Sequence, residues 1–107
     1  MIAESHPDIR LLFEHVVKRL GHEPVLRGRA DVHSGLGAAV IEPSDDSGLS
    51  LARRLRMLGC PVVFASIFPA QREALELEPI AYLLKPFALR QLEAALATAL
   101  ACAQHAA

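Results

Sequence analysis

Apolar residues recur along this chain in two alternating rhythms. Ile9, Leu12, Phe13, Val16, Val17 and Leu20 follow Pro7 at steps of three or four. That spacing lines one face of a helix, with proline in its first turn and Gly21 placed to end it. Val25-Leu26 reads as a brief strand. Ala38-Ala39-Val40-Ile41, stopped by Glu42-Pro43, and Pro61-Val62-Val63-Phe64-Ala65 are short unbroken apolar runs, the signature of buried strands. Between those runs Ser44, Asp45, Asp46 and Ser47 supply cap chemistry for a helix from Leu49 to Leu58, closed by Gly59. A short helix covers Gln71 to Leu77 and a last strand Ile80 to Leu84. Leu89, Leu92, Leu96 and Leu100 then mark one face of a C-terminal amphipathic helix that frays over residues 104–107.

Strands alternating with crossover helices predict an α/β fold, a doubly wound parallel sheet with helices on both faces. Five strands are expected, the first shortened because only Met1 to Ala3 precede a polar turn. The second crossover helix is also shortened, since Gly28 to Gly37 leaves room for at most about two turns at 3.6 residues each. A chain of 107 residues can bury one core and not two, so residues 1–107 are expected to form a single domain.

Composition narrows the function classes. With 52% apolar and 21% charged residues the chain is not disordered, and a net charge of −1 makes no electrostatic case for nucleic acid or a membrane surface as partner. Arg27/Arg29 and Arg53/Arg54/Arg56 read as solvated faces. Cys60 and Cys102 lie far apart and read as reduced thiols. Glu4 falls where a signal peptide needs apolar residues, and nothing approaches the roughly 20 apolar residues of a membrane span, so a cytoplasmic location is expected. His6, His15, His22, His33 and His105 lack zinc-site spacing and read as exposed, with His6 notable for lying in the turn before the first helix.

The residue that carries chemistry is Lys85, which ends the run Tyr82-Leu83-Leu84 and precedes Pro86. Proline cannot continue a strand interior and pushes its predecessor out of helical geometry, so Lys85 is expected at a strand end. In open α/β sheets the crevice outside the carboxyl ends of the strands is where ligands gather.

Tyr-x-x-Lys-Pro-Phe at Tyr82 to Phe87, Ser66 at the end of its strand, the turn Ala3-Glu4-Ser5-His6-Pro7-Asp8, Glu42 at the end of Ala39-Val40-Ile41, and Gly48-Leu49 occur in one order. In that order the chain resembles the receiver domains of bacterial response regulators over essentially its whole length. The resemblance implies a flavodoxin-like fold and a cis proline at Pro86. It makes Lys85, Ser66 and Tyr82 the switch and phosphate-pocket residues and Glu42 the occupant of the phosphoacceptor position, which in the family is an aspartate. It also implies a Mg²⁺ site, here reduced to Glu4 and Glu42 because the second acid of the turn is Ser5. Hard divalent cations are held mainly by carboxylates and waters, so only weak Mg²⁺ binding is expected.

Glutamate places its carboxylate roughly 1.5 Å further out than aspartate, one C–C bond. Because a displacement near 1 Å can cost on the order of 100-fold in rate, phosphorylation of Glu42 is expected to be inefficient. The longer side chain can instead reach toward Lys85. The leading expectation is a signalling receiver module of the two-component type that acts by protein–protein contact without phosphorylation, a pseudo-receiver. Its partner is a histidine kinase or other signalling protein, or a second copy of the chain, docked on the last helix-strand-helix face from Gln71 to Ala103. The alternative is a conventional phosphoaccepting response regulator using Glu42, Asp45 or Asp46. An enzyme is the least favoured class. Gly35-x-Gly37 precedes a strand and fails as a nucleotide fingerprint, and neither a nucleophile-base pair nor a metal cluster is evident. Asp45 and Asp46 are most simply helix caps.

Overall fold

The computed structural model describes residues 1–27, 35–44 and 46–105. Its elements are β1 (Ile2–Ala3), α1 (Pro7–Arg19), β2 (Ala39–Ile41), α2 (Asp46–Met57), β3 (Val62–Ser66), α3 (Arg72–Leu75), β4 (Ala81–Leu84) and α4 (Leu89–His105). The four strands form one parallel sheet in the order β1-β2-β3-β4.

Five strands were expected, and among the described residues four form. Val25-Leu26 contributes one parallel bridge, Leu26 to Ile2, held by Ile2 N–H to the Val25 carbonyl at 2.8 Å and Arg27 N–H to the Ile2 carbonyl at 3.0 Å. Two residues of β1 present too short an edge for a longer ladder, and Pro24 has no N–H to extend it. The shortened first strand is present. The crossover predicted between Gly28 and Gly37 falls largely on residues 28–34, outside the described residues, as do Arg29, His33, Asp45 and residues 106–107.

The sheet buries both faces, and the period-2 alternation of its strands divides the core. Ala39, Ile41, Val62 and Phe64 point to one face, against Leu51, Ala52 and Leu55 of α2 and Ala74 of α3. Val40, Val63 and Ala65 point to the other, against Phe13 and Val16 of α1 and Leu92, Leu96 and Ala99 of α4. Burial of a side chain the size of Val, Leu or Phe contributes about 1.5–3 kcal/mol each, so these two layers supply most of the folding drive. Strands buried on both faces need no polar alternation, which is why β2 and β3 read as continuous apolar runs. β4, at one edge of the sheet, is only half-buried.

α3 is shorter than the predicted Gln71–Leu77. The chain turns out of it at Glu78, whose φ is +51° and whose N–H reaches the Leu75 carbonyl at 3.0 Å. The arginine-rich end of α2 is not wholly a solvated face. Arg53 and Arg54 are exposed, but half-buried Arg56 donates from Nε to the Leu77 carbonyl at 2.9 Å and so ties α2 to the turn before β4. Among the described residues, no helix is long and apolar enough to cross a membrane.

Candidate functional site

Parallel strands in register bring their carboxyl ends to one rim. Ala3 pairs with Ile41, Ile41 with Phe64, and Ser66 with Leu84. The next residues along the chain are Glu4, Glu42 and Lys85; the register sets Glu4 beside Glu42, and Lys85, from the far side of β3, reaches both with its long side chain. Backbone bonds fix their roots: Glu42 N–H donates to the Ala3 carbonyl at 3.0 Å and Lys85 N–H to the Ser66 carbonyl at 2.8 Å. The Lys85–Pro86 peptide is cis.

Lys85 Nζ donates to both carboxylates, to Glu4 Oε1 in a short contact and to Glu42 Oε2 at 3.2 Å. The side chain of Glu4 is 2% exposed, that of Lys85 12% and that of Glu42 19%, so the cluster lies well out of bulk water. Burial works against the Lys85 ammonium, but the hydrogen bonds and charges of Glu4 and Glu42 together outweigh it and hold the lysine above its ordinary value. Glu42 is also fixed from its other oxygen, Oε1, which accepts the Ser44 N–H at 3.0 Å. Gly48 is required here, because a Cβ at that position would lie 2.3 Å from the Glu42 carbonyl oxygen.

Ser66 and Tyr82 form a separate group. The fully buried Ser66 accepts the Phe68 N–H at 3.1 Å on Oγ, and Tyr82 Oη donates to the Phe68 carbonyl at 2.8 Å. Both side chains thus clamp the same backbone unit of the loop after β3. Among the described residues, neither hydroxyl bonds Glu42 or the Lys85 ammonium. The two groups share only the backbone bond from Lys85 to Ser66. A pocket of about 130 Å³ lies beside Ser66 and Tyr82, walled also by Ser44, Leu49, Phe68 and Ala74 among others.

A divalent cation fits these residues poorly. Among the described residues, Glu4 and Glu42 are the two acids at this rim and both are bonded to Lys85, while Ser5 is exposed. Among the described residues, no group of three acidic, histidine or cysteine side chains converges. Oxygen-ligand cations need more than this.

Several site features escape the sequence pattern. Ser44 and Phe68 act through backbone groups, which no residue type announces. Arg10 and Arg27 line a cleft of about 350 Å³ together with Glu4, Ser5 and Glu42. Arg27 also donates to Ser47 Oγ at 2.6 Å. The available signal for Arg10 was its place as the one cation in the first turn of α1. His6 stands exposed at the start of α1 without a side-chain cap bond.

No family model and no curated protein sequence matches the chain. Solved structures do. A response regulator from Thermotoga maritima aligns with a TM-score of 0.73 at 15% identity, covering 94% of this chain and 95% of its own. An orphan response regulator of H. pylori gives 0.69 at 16% identity and 92% of each chain. The receiver domain of a sensor histidine kinase from Pseudomonas aeruginosa PAO1, with a magnesium ion coordinated in its active-site cleft, gives 0.70 at 18% identity and 94% of each chain. At these identities the likeness establishes the fold: the chain has the flavodoxin-like fold of receiver domains.

Proposed function

We propose that this chain is a two-component-type receiver module that signals by protein contact and without phosphorylation. The carrying observation is Glu42 Oε2 at 3.2 Å from Lys85 Nζ, at the position where the resemblance puts a phosphorylatable aspartate. A phosphoryl group on that position would need the lysine for its oxygens. Here the lysine is already bonded to two carboxylates, and the acid set suits Mg²⁺ poorly. Glu42 therefore acts as a fixed partner for Lys85, and any Mg²⁺ binding is weak.

The partner is a histidine kinase or another signalling protein in the cytoplasm, with a second copy of the chain as the other candidate. Exposed Leu75, Leu84 and Leu89 on α3, β4 and α4 support docking on that face. No catalytic turnover is part of this reading.

The test is intact mass after incubation with acetyl phosphate, with and without Mg²⁺. The expected result is no adduct on the parent and a Mg²⁺-dependent adduct on Glu42→Asp only if Ser5 is also restored to an acid. A Mg²⁺-dependent adduct on the parent would overturn the proposal in favour of a working phosphoacceptor.

A further inference from the structure

The cleft walled by Glu4, Ser5, Arg10, Arg27 and Glu42 has the wrong sign for a cation. Among the described residues its lining holds two carboxylates and two guanidiniums, and both carboxylates are bonded to the Lys85 ammonium behind them. Among the described residues, three cations stand against two anions, one positive charge in excess. Glu42 is further occupied by the Ser44 N–H.

Arg10 is half-buried at this wall; its backbone N–H donates to the His6 carbonyl at 2.9 Å, while its guanidinium makes no hydrogen bond or ion pair with any described residue. A guanidinium without a protein partner keeps its donors available, and its planar fork matches an oxyanion. Exposed Arg27 lines the same cleft and is steadied by its bond to Ser47 Oγ, and exposed Ser5 lies on the lining between strand end and helix start. The cleft volume of about 350 Å³ compares with roughly 30 Å³ per water in the liquid. That is far more than one oxyanion fills, so an organic group can accompany it.

We propose that this cleft binds a phosphomonoester, its oxyanion taken by Arg10 and Arg27 with the Ser5 hydroxyl as a further donor. The proposal rests on the preceding reading in one respect, that Lys85 neutralises Glu4 and Glu42. Binding is reversible and non-covalent.

The experiment follows backbone amide NMR shifts of the whole chain near neutral pH at matched ionic strength. Inorganic phosphate, ribose 5-phosphate and MgCl₂ are titrated separately. Saturable shifts at residues 4–5, 10 and 27 are expected with both phosphates, tighter for ribose 5-phosphate, and none with MgCl₂. Arg10→Gln and Arg27→Gln are each expected to weaken binding about tenfold, the factor carried by one hydrogen bond to a charged group. Arg10→Lys keeps the charge without the fork and is expected to fall between; it serves if Arg10→Gln does not fold. Absence of saturable shifts with ribose 5-phosphate, equal binding in the arginine variants, or Mg²⁺ saturating the same amides each overturns the proposal. Failure of the phosphorylation-independent reading is separately visible, because only acetyl phosphate can leave a mass adduct and neither titrated phosphate can.

Discussion

Lys85 is the residue on which the site depends. Removing one partner of a buried ion pair leaves the other charge uncompensated, at about 3–5 kcal/mol. With the Glu4 side chain 2% exposed, Lys85→Met is expected to lose stability near the lower end of that range, since Glu42 keeps some access to water. Urea unfolding checks this, and an unchanged midpoint would show the pair to be energetically idle. The pH dependence has a definite sign. The folded-state lysine holds its proton more tightly than the unfolded one, whose ordinary value is 10.5. Its contribution is therefore complete below that pH and is lost as pH rises through the raised folded value. Alkaline unfolding of the parent is expected to show a loss above pH 10.5 that Lys85→Met lacks. Lys85 itself was legible in the sequence, because Lys-Pro after an apolar run admits few conformations. The true partner of Ser66 was not, because it is a backbone amide placed by the loop from Ser66 to Phe68.

At the scale of elements, α2 is set against the rim by the absence of a side chain. A Cβ on Gly48 would meet the Glu42 carbonyl oxygen at 2.3 Å, and that atom is backbone, so relief requires α2 to move as a unit. Overpacking of this kind costs about 1–3 kcal/mol. Gly48→Ala is expected to lower the melting temperature and to shift the Ser44 amide resonance, because Ser44 N–H is bonded to Glu42. Gly59→Ala is the control: its φ of +79° strains any side chain but nothing lies within 4 Å, so stability falls while the Ser44 resonance stays. An unshifted Ser44 resonance in Gly48→Ala would mean that α2 and Glu42 are not coupled. The elements best read from sequence were those with an unambiguous period or an abrupt stop, namely α1, β2 and β3; α2 begins at Asp46 and not at Leu49, so Asp46 is a first-turn residue of the helix and not its cap. Val25-Leu26 was overread as a strand, because propensity cannot report that its neighbour β1 is two residues long. The end of α3 was overread for a similar reason, since the turn at Glu78 depends on a carbonyl within α3 itself and on Arg56 holding Leu77 from another helix.

Across the whole molecule Lys85 bridges the sheet from end to end. It follows β4 at one edge, Glu42 follows β2, and Glu4 follows β1 at the other edge, 81 residues away in sequence. The ion cluster is thus a clamp across the carboxyl rim, while the opposite rim is held by backbone bonds and the two apolar layers. Local opening is governed by local contacts, so the two rims are expected to respond differently when the clamp is removed. In Lys85→Met, hydrogen exchange at Glu42 N–H, bonded to Ala3, and at residue 85, bonded to Ser66, is expected to accelerate beyond the change in global stability. Exchange at Ala39 N–H, bonded to Pro61, and Ile80 N–H, bonded to Val62, is expected to follow global stability alone. Acceleration by the same factor at both rims would show that Lys85 contributes only to overall stability. A gradient from one rim to the other would show that the charge cluster controls the mobility of the surface that carries Ser66, Tyr82 and the proposed docking face.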